Sequence, residues 1–339
     1  MLVISTAVVI LNWNGLSLLQ EFLPNICAHS LHARIYVVDN ASEDASVDWV
    51  RQHFPDVKLI QLRENLGYAG GYNAAITEID EEILVLVNND VKTTPNWLDA
   101  PLRLFQEKPE VVVIQPKIMD LKHPTHFEYA GAAGGFIDAF AYPYCRGRVF
   151  HRCEKDKGQF EITTDIFWAS GACFFIRNQA FKAVGGFDAD FFAHQEEVDL
   201  CWRLRNLDLR IIYCPESSIY HLGGATLQNH NPKKTFLNFR NSLITFFKNA
   251  PKRYVLLLLI PRLMLDGFAG IYFLFSLKWR HFFAVIHAHF SFYYRLPKLI
   301  SFRKAARLKK NTYFKITSVA FAYFLLGKRT FLELHHRFR

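Results

Sequence analysis

The chain has few residues that could tie it together through sulfur or zinc. Its six cysteines (Cys27, Cys145, Cys153, Cys173, Cys201 and Cys214) form no CxxC pair and have no regular spacing. That excludes a zinc ribbon and a disulfide framework, and it makes a reducing cytosol the simplest home. Met1–Leu11 is apolar but lacks a basic n-region and a small-residue cleavage site, and it runs straight into Asn14-Gly15, so it reads as a first strand and not as a signal. No Gly-Lys-Ser/Thr follows any glycine-rich stretch and no glycine spacing fits a dinucleotide fingerprint, which excludes a P-loop and that class of cofactor site. Internal repeats and low-complexity tracts are also missing.

Acidic residues all but vanish from the C-terminal third. Residues 240–339 hold 19 Lys/Arg against Asp266 and Glu333, a net +17, which leaves −8 on residues 1–239 within the formal +9 of the whole chain. The basic residues interrupt aromatic and aliphatic stretches such as Tyr254–Ile260 and Phe268–Phe275. This mixture suits an anionic membrane surface better than nucleic acid, because apolar side chains enter lipid while Lys and Arg stay at the headgroups. Tyr254–Leu277 is long enough to span a bilayer core. Pro261, Arg262 and Asp266 argue against an ordinary span, since a central charge costs about 2.5–3.5 kcal/mol on insertion scales. The expectation is an interfacial helical hairpin, with His281–Tyr294 and Tyr313–Leu326 as further amphipathic helices. The alternative is a helical domain whose apolar faces pack together. The pairs His287/His289 and His335/His336 have no acids or cysteines around them and are not read as metal ligands.

What the chain does have is 51% hydrophobic residues, ample for a packed core, and a regular alternation in its acidic part. Ala7–Asn12, Arg34–Asp39, Val57–Leu62, Ile83–Asn88 and Val111–Gln115 are β-rich and separated by helical patterns. This predicts a βαβ-built, mostly parallel sheet. Glu128 to about Asp165 mixes glycine, aromatic and charged residues without a period and predicts hairpins or a flap. A strand at Ala172–Ile176 and a helix from about Glu197 to Arg205 follow. Ligands of such sheets bind beyond the carboxyl ends of the strands, so the polar residues after each run are the candidates.

Five stretches carry candidate chemistry. Leu84–Val87 ends in Asn88-Asn89-Asp90, three oxygen-bearing side chains of which only Asp90 is a carboxylate. A hard cation such as Mg²⁺ or Mn²⁺ takes such ligands, although the triplet alone also reads as a turn or helix cap. Thr93-Thr94-Pro95 reads as the cap of the next helix. Asp39, at the end of Val37-Val38, suits a ribose hydroxyl and equally a helix cap. In Glu64–Asn73, glycines open a helix after a strand, which favours close backbone approach and an anion at the helix amides. His194–Leu204 carries Glu196 and Glu197, either of which could act as general base on an acceptor hydroxyl; as helix-start acids they also complement the dipole. Asp199 and Arg203, four apart, read as a supporting pair. Tyr220–Gly224 places His221 after an apolar run, as a metal or phosphate contact or a structural histidine.

Together, Val8–Gly15, Val38–Ser42, Asn65–Asn73, Asn88–Asp90 and Glu196–Asp199 resemble glycosyltransferase family 2, and within it the bacterial rhamnosyltransferase-like enzymes of cell-surface polysaccharide assembly. The resemblance covers residues 4–225. It implies a GT-A fold, a nucleoside-diphosphate sugar donor, Mg²⁺ or Mn²⁺, and inversion by a single displacement. It further implies that Asp39 binds the nucleotide, that Asn12, Asn65, Gly67, Asn73, Asn88 and Asn89 line the donor pocket, that Asp90 and His221 hold the metal, and that Glu197 is the base, with Glu196 beside it. Two departures from the family pattern are present: Asn88 stands where a first acid is usual, and Glu197 is one methylene longer than the usual Asp.

The fold class expected is therefore α/β: a GT-A domain at 1–230, divided into a nucleotide part at about 1–120 and an acceptor part at about 121–230, and a basic helical membrane-associating region at 231–339. The expected function is transfer of rhamnose to a glycan or polyprenyl-diphosphate-linked acceptor at the cytosolic face of the membrane. Alternatives are transfer of galactofuranose, galactose or an N-acetylhexosamine, or a non-catalytic nucleotide-sugar binding protein. Nucleic acid is not an expected partner, because no recognisable module accompanies the basic residues.

Overall fold

The computed structural model describes residues 4–223, 231–306, 308 and 312–335. Met1–Val3 and Gly224, parts of the first and last stretches singled out above, lie outside the described residues.

Strands β1 (Thr6–Asn12), β2 (Arg34–Asp39), β3 (Lys58–Gln61) and β4 (Ile83–Asn88) alternate with helices α1 (Leu16–His29), α2 (Ser46–His53) and α3 (Gly67–Ile76). These four strands pair in parallel in the order β4-β1-β2-β3. β1 and β4 are the sheet's interior, and residues 8–10 and 83–87 have no solvent exposure. That is why they read as continuous apolar runs and not as alternating ones. Successive residues still serve opposite faces: Val9, Leu84 and Leu86 pack with Tyr72, Ile76 and Trp202, while Val8, Ile10, Val85 and Val87 pack with Leu19, Leu23 and Phe105.

After β4 come β5 (Val91–Thr93), α4 (Asp99–Glu107) and β6 (Val111–Asp120). A separate four-stranded sheet follows, made of β7 (Gly135–Ile137), β8 (Pro143–Cys145), β9 (Arg148–Val149) and β10 (Arg152–Cys153). This is the hairpin region expected between Glu128 and Asp165. The chain then returns to the main sheet with β11 (Thr164–Asp165), β12 (Cys173–Arg177), α5 (Asn178–Ala183), α6 (Glu196–Asn206) and β13 (Arg210–His221). β12 runs antiparallel between β4 and β6, and β13 runs parallel to β6, which completes a mixed nine-stranded sheet.

β6 is twice the length expected. Pro116 interrupts the apolar run that marked it, but the β6–β13 pairing carries a register shift between Cys214 and Ser218, opposite Pro116-Lys117, and resumes beyond it. A bulge is where a sheet tolerates a residue that cannot donate to the ladder. The consequence is long-range: the resumed ladder delivers His221 to the site.

The C-terminal part is helical, with α7 (Pro232–Asn249), α8 (Lys252–Phe275), α9 (Trp279–Ala305), α10 (Val319–Phe324) and α11 (Phe331–His335). Within Tyr313–Leu326, expected as one amphipathic helix, only α10 is helical. Residues 313–318 instead run past the turn after β7, where Asp138 accepts from the Val319 amide and the Ala139 carbonyl from the Tyr313 hydroxyl.

Candidate active site

The register of the parallel strands sets three polar residues side by side. Asn12 pairs with Asp39, and Leu11 with Asn88, so the carboxyl ends of β1, β2 and β4 form one polar edge. The Asn12 side chain accepts from Asn89 Nδ2 at 2.9 Å and its amide reaches Ser42 Oγ at 3.4 Å. Gly15 is required here: a Cβ on it would stand 2.4 Å from Asn12 Oδ1 and 2.5 Å from Asn89 Nδ2. Asp39 accepts from the Ser42 amide through Oδ2 (3.0 Å), while its Oδ1 is buried without a hydrogen-bond partner among the described residues. It does not cap α2, which starts seven residues later.

Asn88-Asn89-Asp90 is a turn into β5 and not a helix cap. Thr93-Thr94-Pro95 does not cap α4 either: the Thr93 amide and hydroxyl meet Asn25, and the Thr94 hydroxyl donates to the Ser218 carbonyl. Asp90 is buried beside His221, with Oδ1 3.1 Å from Nε2, and the opposite ring nitrogen, Nδ1, faces Glu128 Oε1 at 3.2 Å. The Asn88 amide lies 3.4 Å from His221 Nε2. Burial opposes a charged imidazole, but the Glu128 charge and the bond to Asp90 overcome it and hold the His221 pKa up to about 10. The Asp90 carboxyl is held below its ordinary value, burial being outweighed by His221. Glu128 was not anticipated: it lies in the unperiodic stretch, and only the β6–β13 ladder brings it under His221.

Among the described residues no three His, Cys, Asp or Glu side chains gather as a metal shell. The Asp90–His221 pair still fits two positions of one, provided that Nε2 gives up to solvent the proton that Asp90 and Glu128 now hold on the ring. Ligands at about 2.0–2.1 Å around an octahedral cation are about 3 Å apart, as these two atoms are. A carboxylate on the far ring nitrogen is the usual support of a ligating histidine.

The glycine-rich start of α3 is built differently from what its residue types suggested. Its first amides, of Tyr68 and Ala69, are directed at the Phe192 carbonyl (2.7 and 3.3 Å), so they are not open to an anion. Gly67 takes φ +71°, and a Cβ there would clash with Phe192 at 2.6 Å. Asn65 accepts from Asn40 Nδ2 and the Gly67 amide, and Asn40 also binds the Leu66 amide and the Gly67 carbonyl. The Asn73 amide engages the Phe187 backbone at both ends (2.8 and 2.9 Å). Asn65, Gly67 and Asn73 thus shape the loop.

Glu196 and Glu197 open α6. The backbone before them is left-handed at Phe192 (φ +64°), His194 (+70°) and Gln195 (+72°). Both carboxyls have one buried oxygen without a partner among the described residues. Burial raises the Glu197 pKa to about 7 against the pull of the helix-start amides, and burial together with the Glu197 charge raises that of Glu196 well above the carboxyl range. Gly171 tells the two apart. A Cβ on it would lie 3.9 Å from the Glu197 carboxyl carbon and 3.1 Å from the Tyr68 hydroxyl, which donates to the Gly171 carbonyl. The next residue, Ala172, accepts from the Asn88 amide. Glu197 therefore borders the strand edge that carries Asn88 and Asp90. Asp199 is fully buried and paired with Arg203 (2.8 Å), as expected, and also with Lys248 of α7 (3.0 Å).

Residues 7–185 match the sequence model of the glycosyl transferase family 2 domain. The chain belongs to glycosyl transferase family 2. This glycosyltransferase is 26% identical over 218 residues to the N-acetylglucosaminyl-diphospho-decaprenol L-rhamnosyltransferase of Mycobacterium tuberculosis, spanning 60% of this chain and 71% of that protein. It is 21% identical over 247 residues to the rhamnosyltransferase WbbL of Escherichia coli K12, spanning 70% and 89%. Its fold is that of GalNAc-T7, solved with UDP, GalNAc and Mn²⁺ (TM-score 0.59, 13% identity, 75% of this chain). It is also that of the mannosyltransferase PcManGT from Pyrobaculum calidifontis, solved with GDP-Man and Mn²⁺ (TM-score 0.51, 15% identity, 85% of this chain and 86% of that one). The match spans about half, 49%, of the GalNAc-T7 chain. The GT-A architecture is thereby established.

Proposed function

We propose that this glycosyltransferase moves rhamnose, with inversion, from a nucleoside-diphosphate sugar to a polyprenyl-diphosphate-linked glycan. The observations that carry the donor side are the buried line Glu128–His221–Asp90 after β4 and, at the end of β2 on the same polar edge, the Asp39 oxygen that has no partner among the described residues. Asp39, with Asn12 and Asn89 behind it, would accept from a nucleotide hydroxyl. Asp90 and His221 would hold Mg²⁺ or Mn²⁺, which when bound neutralises the diphosphate as it leaves. Rhamnose and the lipid-linked acceptor are supported by the names of the Mycobacterium tuberculosis and Escherichia coli relatives.

Glu197 is the general base in this reading. It takes the proton of the acceptor hydroxyl as that oxygen attacks the anomeric carbon, and the bond from that carbon to the diphosphate breaks on the opposite face. A carboxylate with a pKa near 7 is well matched to this work at neutral pH. The helices at 231–339 are proposed to rest on the cytosolic membrane surface, where the lipid-linked acceptor is found.

The test is a panel of nucleoside-diphosphate rhamnose, galactofuranose, galactose and N-acetylhexosamine, assayed with a polyprenyl-diphosphate glycan with and without EDTA. Turnover from the rhamnose donor alone, abolished by EDTA and giving an inverted anomeric centre by NMR, is expected. Turnover from another donor would replace the sugar. EDTA-insensitive donor binding with no turnover would make the protein a nucleotide-sugar binder.

A further inference from the structure

The segment that leads into Glu196 and Glu197 is gripped by a helix of the basic C-terminal region. Asn241 of α7 has no solvent exposure, and its Nδ2 donates to three backbone carbonyls of that segment, Phe191 (3.0 Å), Ala193 (2.9 Å) and His194 (2.8 Å). Its Oδ1 accepts from Arg240 Nε at 2.8 Å. Arg240, itself buried, donates to the Asp190 and Phe191 carbonyls at 2.9 and 3.1 Å.

The gripped backbone departs from the conformations that its residues favour. Three non-glycine residues within four positions, Phe192, His194 and Gln195, have positive φ, a region that L-residues avoid and keep only where their surroundings impose it. Between them the chain turns so that the Phe192 carbonyl faces the start of α3 and the next helical turn presents Glu197.

We propose that Asn241, seconded by Arg240, is a positioning residue for Glu197: by collecting three carbonyls on one amide it fixes the left-handed path of residues 191–195 and so aims the carboxylate at the strand edge. This rests on Glu197 being the base. A primary amide suits the position because its two N–H groups lie in one plane and serve the three carbonyls with one hydrogen shared between two of them, while its oxygen turns to the neighbouring guanidinium. Aspartate would present an acceptor to three acceptors, and alanine would take the side-chain donor from the part-buried Ala193 and His194 carbonyls, leaving that of Phe191 to Arg240. The basic C-terminal helical region is thereby a working part of the active site.

The experiment uses the full chain and its Asn241→Ala, Asn241→Asp and Asn241→Ser variants. Backbone hydrogen exchange, which needs no ligand, is followed at residues 191–197 and at Tyr68 and Ala69. Initial rates are measured with whichever donor turns over in the panel above. The expected result is faster exchange confined to those two stretches, with β1 and β4 unchanged, and a kcat about 10²-fold lower at unchanged donor KM, the size a displacement of about 1 Å produces. Asn241→Ser, which keeps one donor, should fall between wild type and Asn241→Ala. Folded variants with wild-type kcat overturn the proposal. So does a loss of rate that only follows the folded fraction, or an exchange increase spread through the sheet. Should Asn241→Ala and Asn241→Asp not fold, the Asn241→Ser kcat decides in the same way. Glu197→Gln is run alongside: if that variant turns over normally the base assignment fails, whereas an effect at Asn241 without local exchange changes removes the positioning role.

Discussion

At the scale of single residues, the two acids at the start of α6 have opposite demands placed on them. Burial raises both pKa values, so the folded state binds more protons than the unfolded chain, where a glutamate titrates near 4.3. Stability contributed by the neutral forms is present at low pH and declines as the pH rises from that unfolded value towards the folded one near 7. Activity follows the reverse course, because a base must be unprotonated: kcat should climb through about pH 7. Glu197→Gln separates the two effects. Transfer should fall by about 10²–10⁴-fold with donor affinity retained, while the thermal midpoint at pH 8 rises because a buried charge has been removed. A variant with normal turnover would end the base assignment, and an unchanged midpoint would show that the carboxylate is better solvated than its burial implies. Asp90→Asn should damage metal-dependent donor binding and kcat together, leaving an activity that EDTA barely alters. Isothermal titration of donor with and without Mn²⁺ checks this, and full metal dependence in the variant would move the site elsewhere.

The helices and strands show how side chains far apart in sequence are locked into one arrangement. Asp199 is fully buried yet its carboxyl is held below the ordinary range, because the Lys248 and Arg203 charges outweigh the cost of burial. Lowered in the folded state, it contributes stability above its unfolded pKa near 3.9, and that contribution is lost as the pH falls through the folded value. Asp199→Ala removes one partner from two buried cations and should cost about 3–5 kcal/mol in urea unfolding at pH 7; a cost below about 1 kcal/mol would mean that water has replaced the carboxylate. Most of the elements were legible because their residues carry the pattern locally: β1, β2 and β4 are apolar runs ended by polar residues, and α6 has its acids at the start. Two features were not. β6 looked half its length because Pro116 breaks the run, and the bulge that accommodates Pro116 belongs to β13. The start of α3 looked like an anion site because glycines and free helix amides are common there, but Phe192, over a hundred residues on, reaches those amides first.

Across the whole molecule, α8 divides its residues by face. Val255, Arg262, Asp266 and Gly270 are buried, and Arg262 and Asp266 bond each other and reach Phe140, Ser242 and Tyr142. The charges that argued against an ordinary span are therefore directed into the protein. The other face is apolar and open: Leu256, Ile260, Met264, Phe268 and Phe275 are each more than half exposed. α8 is the one helix among the described residues long and apolar enough to cross a membrane; with its ion pair turned into the protein, it is proposed to lie on the bilayer, lysine and arginine at the headgroups. Ile260→Glu combined with Phe268→Glu should abolish flotation with liposomes containing anionic lipid and leave the thermal midpoint within about 1 °C, as surface changes do. Flotation that survives both substitutions would remove α8 from the contact.

The chain's own order of residues determined the parallel strands, the polar strand ends, the family and the basic character of the last third, because each of these is a local pattern or a composition. Tertiary structure alone decided which polar residues act together. Glu128 lies behind His221, the Asn73 amide meets the Phe187 backbone, and Asn241 of α7 bonds the turn before Glu197. Each of those partnerships joins residues tens to more than a hundred positions apart, and local periodicity cannot show which distant carbonyl or carboxylate a buried amide or imidazole will meet, only that it must meet one.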